Sequence, residues 1–180
     1  PFLTSAYGLD RATAAFYTSL SLFGWALGAP GLGWLSDRLR LRKVPIVIFS
    51  GLNVASLAAI ALVPGLPLFV IAGLFFVSGF TGGCMVITFA IAREVTAKPL
   101  HGTVSGLVNG MTVAAGAVLQ PVLGWLLDMR WDGTLLEGAR VYQAADYRFA
   151  FVALLIWSGV GFALSFGLRE TRCRPIPVLR

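Results

Sequence analysis

With 180 residues, 57% of them hydrophobic and only 12% charged, the chain falls far outside the composition of ordinary soluble domains, which are nearer a quarter charged. Its mean hydropathy of +0.82 excludes a water-soluble enzyme or binding module and fits an all-α, polytopic transmembrane helical bundle whose first partner is the lipid bilayer. The net charge of +6 would suggest nucleic acid in a soluble protein. Here the basic residues concentrate in three segments on one side, a topological pattern that leaves no nucleic-acid partner to invoke.

A membrane β-barrel would alternate apolar and polar residues, and no such alternation occurs. The chain opens Pro1-Phe2-Leu3 without Met or a signal-peptide pattern, so it reads as a fragment or trimmed chain, with residues 1–11 as a loop. Residues 12–36 carry no charge and are long enough to cross a hydrocarbon core that needs about 20 helical residues. Gly24 and Gly28 stand there at the GxxxG spacing that lets helix backbones approach closely.

Next comes Gly33-Trp34-Leu35-Ser36-Asp37-Arg38-Leu39-Arg40-Leu41-Arg42-Lys43, with five charged side chains, four of them basic, between two uncharged runs. Basic loops are retained on the inner side of the bilayer. Residues 44–92 contain no charge at all, and one helix of that length would be over twice the membrane thickness. The chain therefore turns back at Pro64-Gly65-Leu66-Pro67, giving a second span at about 44–63 and a third at about 67–92. Thr81, Cys84 or Met85, and Thr88 are spaced to share one face of the third span. Such a face either packs against a neighbour or lines a wet cavity.

Arg93, Glu94, Lys98 and His101 form a loop, with His101 read as a solvated residue. The fourth span, about 103–127, holds Gly106 and Gly110 at GxxxG spacing, Asn109, Thr112 and the pair Gln120-Pro121. Pro121 frees a backbone carbonyl near residue 117 and bends the helix. Amides within hydrocarbon need partners or water, so Asn109 and Gln120 act as interhelical glue or touch a ligand. A polar loop follows, and residues 149–168 form a fifth, plainly apolar span expected to face lipid. Cys84 lies in an apolar run and Cys173 in a basic tail, so no disulfide between them is expected.

One side collects the 36–43 loop, the 93–101 loop and the tail, with 10 basic residues against 3 acidic ones; the other side has 4 against 5. This asymmetry predicts a cytoplasmic C-terminus in a multi-pass plasma-membrane protein and an external start.

Gly-x-Leu-Ser-Asp-Arg followed by basic residues resembles the loop signature of the major facilitator superfamily, which lies between its second and third helices and recurs in degenerate form between the eighth and ninth. Arg93-Glu94 with Gly102-Thr103 to Asn109 is similar to the family's tenth-to-eleventh helix junction, and Gln120-Pro121-x-x-Gly124 to the outer part of its eleventh helix. The resemblance covers essentially the whole of residues 1–180 and implies helices eight to twelve, with Pro1-Phe2-Leu3 ending helix seven. The N-terminal half of the same transporter would then be missing. Arg40 stands where the family has a glycine, and Leu41 where it has an arginine.

The resemblance implies a secondary active transporter moving a small polar solute by alternating access, proton coupling being a family habit, with peptides, amino acids or organic anions as substrate classes. It places Tyr17, Ser21, Thr81, Cys84, Met85, Thr88, Asn109, Thr112 and Gln120 around the substrate cavity. It also makes Gly33, Asp37, Arg38, Arg42 and Lys43 a cytoplasmic gating loop. Independently of the name, Gly33 permits close helix approach, Asp37 suits a helix N-terminus, and the basic residues suit carboxylates or lipid phosphates; a plain positive-inside anchor is the alternative. A non-transporting receptor or scaffold on the same helices is the competing function. A membrane enzyme is disfavoured because there is no intramembrane Asp/Glu/His set, no metal-ligand spacing, no cofactor motif and no nucleophile elbow.

Overall fold

The computed structural model describes residues 1–136 and 138–175. Glu137 and Arg180, both counted in the charge asymmetry, lie outside the described residues. The opening segment is not all loop: Phe2–Tyr7 forms a short helix, α1, closed by Gly8 in the left-handed conformation at φ 66°. Asp10 then caps the long helix α2, Arg11–Leu39, its Oδ2 accepting the N–H groups of Ala12 and Thr13 at 3.0 and 3.1 Å.

At 29 residues α2 is about 44 Å long. It ends in a Schellman motif, in which the Leu41 N–H reaches the Ser36 carbonyl and the Arg40 N–H the Asp37 carbonyl, both at 3.2 Å. Arg40 occupies the left-handed position of that motif at φ 51°, a site where glycine is the favoured residue. The family's glycine at this place therefore has a backbone reason, which this chain meets with strain.

Helix α3, Lys43–Leu62, runs to the predicted Pro64–Pro67 turn, where Gly65 takes φ 70°. The third span is one membrane-length segment, Leu68–Glu94, divided by a tight turn into α4 Leu68–Gly82 and α5 Met85–Glu94. Between them the Cys84 N–H bonds Thr81, the Val86 N–H bonds Gly83, and the Ile87 N–H bonds Cys84. These i to i+3 bonds make one tight 3₁₀ turn, for which Gly82-Gly83 leaves room. A 3₁₀ turn at Lys98–Leu100 leads into α6, His101–Asp128, and α7 covers Ala144–Ser165. The loop between them contains a two-residue hairpin, Leu135–Leu136 paired antiparallel with Ala139–Arg140.

The rod made by α4 and α5 is central. α4 packs on α2 and α3, α5 touches α2 and α6, and α7 closes the bundle against α3 and α6. The α2–α4 contact is backbone on backbone. A Cβ built at Gly79 would lie 1.8 Å from the Ser21 carbonyl oxygen, and one at Gly28 would lie 2.1 Å from that of Phe80. Gly24 and Gly83 complete the seam from the two sides, facing Phe76 and Ala29. The predicted pair Gly24/Gly28 thus lies against the backbone of Phe76 and Phe80, four residues apart on α4. Gly106 and Gly110 on α6 behave otherwise, since a Cβ at either would meet nothing within 4 Å.

Four helical segments are long and apolar enough to cross a membrane among the described residues: Lys43–Leu62, Leu68–Glu94, Lys98–Asp128 and Ala144–Ser165. α2 has the length but carries Thr13, Tyr17, Thr18, Ser19 and Ser21 in its first half. Large apolar side chains including Phe23, Phe69, Val113, Ile156 and Leu164 are exposed around the bundle. A surface so apolar is stable against lipid and not against water. A small apolar core of Phe2, Leu3, Ala14, Ile60 and Ile71 fills the end near α1.

Candidate functional site

α6 presents the most open polar face. Asn109, Thr112 and Gln120 are all exposed, and no residue of this helix is buried. Asn109, Gly116 and Gln120 are about three turns apart end to end and share one face, because eleven residues of α-helix return to nearly the same direction. The Thr112 hydroxyl bonds the Val108 carbonyl at 2.9 Å. The amides of Asn109 and Gln120 make no hydrogen bond to any described residue. Pro121 adds the Ala117 carbonyl to this unpaired set, since proline has no N–H to return. Unpaired amides in hydrocarbon cost several kcal/mol, roughly 2–7 in transfer measurements. The face is therefore built for water, a solute or another polar surface.

The other predicted cavity residues are placed differently. Thr81 is buried between helices at 1% exposure. Its hydroxyl donates to the carbonyls of Val77 and Ser78 and receives the Asn53 amide at 3.1 Å. Asn53 also donates to the Ser78 carbonyl at 2.8 Å and accepts from Ser158 at 3.3 Å, joining α3, α4 and α7. Asn53, the single amide in the charge-free run from 44 to 92, is the sequence signal for this node. Cys84, Met85 and Thr88 are half-buried beyond it, and Thr88 bonds the Met85 carbonyl at 2.6 Å. Tyr17 packs against the apolar core at the α1 end. Ser21 bonds the Thr18 carbonyl, and its own carbonyl forms the glycine seam. The structure thus gathers Asn109, Thr112 and Gln120 on one open helix and spreads the remaining candidates through helix contacts.

The charged loop folds around Arg42. Its side chain is 8% exposed and that of Glu94 is 12%. Arg42 Nη1 donates to Ser36 Oγ at 2.9 Å and Asp37 Oδ1 at 2.6 Å, while Nε and Nη2 reach Glu94 Oε1 at 3.0 and 2.7 Å. Burial opposes the charge of this guanidinium, but Glu94 and Asp37 outweigh that cost and hold its pKa above the ordinary value. Thr171 donates to the second oxygen of Glu94.

The start of α3 is capped from a distance by Glu170. Its two oxygens accept the N–H groups of Arg42 and Lys43 at 2.8 and 2.9 Å, at the start of α3. Burial pushes the Glu170 carboxyl up, and the backbone donors of Arg172, Arg42 and Lys43 pull it back below the usual value. Asp37 is 68% exposed and pairs within its own loop. Lys43 Nζ bonds the Phe166 carbonyl at 2.6 Å, and Arg38 lies 5.3 Å from the Trp34 ring centre. Gly33 does permit close approach, with Val86 of α5 3.3 Å from its Cβ position. His101 is half-buried, its Nε2 3.2 Å from the Thr96 carbonyl. The loop, α5, α7 and the tail are thereby tied into one polar knot.

The opposite end is held by a second set. Asp128 accepts the Tyr142 hydroxyl at 2.5 Å and pairs with Arg140 at 2.6 Å, and these contacts, Tyr142 first, lower its carboxyl. Arg140 also stacks over Trp131. Behind the hairpin lies an open cleft of about 670 Å³ lined by Phe2, Arg11, Thr18, Phe75, Tyr142 and Phe151 among others.

Residues 1–177 match the family model of the Major Facilitator Superfamily. The multidrug resistance protein MdtL of Shewanella sp. (strain ANA-3) is 31% identical over 173 residues, covering 95% of this chain and 39% of the relative. The MdtL of Salmonella typhi is 29% identical over 169 residues, 93% of this chain and 39% of its own. An Arabidopsis thaliana protein named "Putative glycerol-3-phosphate transporter 5" is 27% identical over 134 residues, 69% of this chain and 27% of that protein. The chain spans about two-fifths or less of the length of these relatives.

Proposed function

This chain belongs to the Major Facilitator Superfamily, and from that premise we propose that it is part of a secondary transporter carrying a small solute by alternating access. The observation that carries the reading is the face of α6 with Asn109 and Gln120 exposed and unpaired in a membrane-length helix. In this reading that face and the α5 residues Met85 and Thr88 line one wall of the solute path, the other wall coming from an N-terminal half. The Arg42 knot is then a cytoplasmic latch on α5, because Glu94 ends that helix and Arg42 grips it. The excess of basic residues at the same end supports its cytoplasmic placement.

The wall supplies uncharged hydrogen-bonding groups, as residues 102–127 contain no ionisable side chain. It suits a solute with an apolar body and a few polar groups, so compounds of the multidrug kind named for the MdtL relatives head the substrate panel, before peptides, amino acids and organic anions. A proton-coupling group would have to come from helices outside this chain.

The test is uptake by the complete transporter in proteoliposomes across that panel, with and without a pH gradient. Active uptake that Asn109→Ala and Gln120→Ala weaken at least tenfold in kcat/KM supports the reading. No solute moved across the panel would sink it and favour a receptor or scaffold.

A further inference from the structure

At the Arg42 end the described residues hold nine basic side chains and three carboxylates. All three carboxylates are engaged within the fold: Asp37 and Glu94 on Arg42, and Glu170 on the backbone of α3 and of Arg172. Arg42 is buried beneath them. Arg38, Arg40, Arg169, Arg172 and Arg174 remain exposed and form no ion pair among the described residues.

These five come from two segments 130 residues apart that Glu170 stitches together. Arg40 and Arg172 sit in left-handed backbone, at φ 51° and 53°, so the chain turns sharply at a basic residue in each segment. Trp34 is 60% exposed beneath Arg38, as suits an indole at headgroup depth with a cation above it. A solvated face would need no such engagement of every acid by Arg42 or the backbone, nor an aromatic at its lower edge.

The geometry points to a basic collar that binds the headgroups of acidic phospholipids in the adjoining leaflet. Guanidinium forks suit the phosphodiester oxygens. Each cation held near an anionic membrane surface adds about a fivefold preference, the equivalent of about 1 kcal/mol. The inference needs the chain to span the membrane, and it is independent of what the transporter carries or which leaflet faces the cytoplasm.

The test places the complete protein in nanodiscs of phosphatidylcholine containing a minor fraction of phosphatidylglycerol. The readout is the relative association of spin-labelled phosphatidylglycerol against spin-labelled phosphatidylcholine. The wild type should prefer the acidic lipid by about fivefold or more at low salt, and the preference should fade as salt shortens the screening length. The R40Q/R172Q/R174Q variant should lose most of it, while R11Q/R130Q at the opposite end should keep it. Thermal unfolding in pure phosphatidylcholine discs controls for folding. Should the triple variant not fold, Arg174→Gln alone is read by the same ratio, with a smaller drop expected. A preference near unity in the wild type, a preference unchanged in the variants, or displacement of the lipid by millimolar inorganic phosphate at constant ionic strength each overturns the collar. Uptake assays do not enter the readout, so failure of the transport reading leaves this result separate.

Discussion

Replacing Arg42 by Met should be the most damaging single change at the Arg42 end. The guanidinium makes four hydrogen bonds: one to Ser36, one to Asp37 and two to one oxygen of Glu94. The two carboxylates suffer unequally. Asp37 is 68% exposed and returns to water, whereas Glu94 is 12% exposed and is left with Thr171 alone. Stranding a buried charge costs about 3–5 kcal/mol, while losing an exposed pair costs under about 1 kcal/mol. R42M should therefore destabilise the complete protein by about 3 kcal/mol and D37N by less than about 1 kcal/mol. The double variant R42M/E94M should recover most of the loss, because an apolar pair can replace a buried ion pair at little net cost. Denaturant unfolding in detergent, followed by tryptophan fluorescence, gives all three numbers. R42M within about 1 kcal/mol of wild type, or a double variant no better than R42M, would refute the electrostatic account of the knot.

Gly79→Ala sets a Cβ against the Ser21 carbonyl, so α2 and α4 must part, at a cost of about 1–3 kcal/mol. Gly73→Ala, on the same helix but in open space, should be neutral or stabilising in the same unfolding assay. Arg40→Gly should raise stability by about 1 kcal/mol, the strain of a left-handed non-glycine residue; a fall would mean that the Arg40 side chain contributes more than its backbone costs. The folded Glu170 carboxyl titrates below its ordinary value of 4.5, so its contribution is complete above that value and is lost as pH falls through the folded one. The stability gap between wild type and E170Q should be constant near neutrality and close on acidification, as read by thermal unfolding over that range; a gap that widens in acid contradicts the capping role.

Much of the architecture was written locally. The Pro64–Pro67 turn, the charge-free runs and the basic loop follow from backbone chemistry and solvation, which a short stretch of sequence expresses in full. Gly24 and Gly28 were also visible as a close-approach pair, and Arg40 as a departure from the family's glycine. What escaped depended on distant partners. Glu170 caps α3 because the chain beyond α7 returns to its start, which no spacing encodes. Thr81 shares its helical face with Thr88 on paper, yet Asn53 claims it. The turn at Gly83–Cys84 carried no proline, so two glycines among many small residues gave no reason to divide the third span. The open face of α6 was legible as polarity; that nothing among the described residues covers it was not.

The glycine seam has a mechanical consequence. Side chains between helices act as soft spacers that tilt and swap rotamers, but Ser21 on Gly79 and Phe80 on Gly28 are main chain against main chain. Neither helix can slide or twist past the other without forcing backbone into backbone. α2 and α4 therefore travel together, as a single plate, in any rearrangement that leaves the bundle intact. The third span divides only at the 3₁₀ turn, beyond which α5 runs to a far tip held by Arg42. Gly83, at that turn, rests directly on Ala29 of the plate. The seam is a fulcrum.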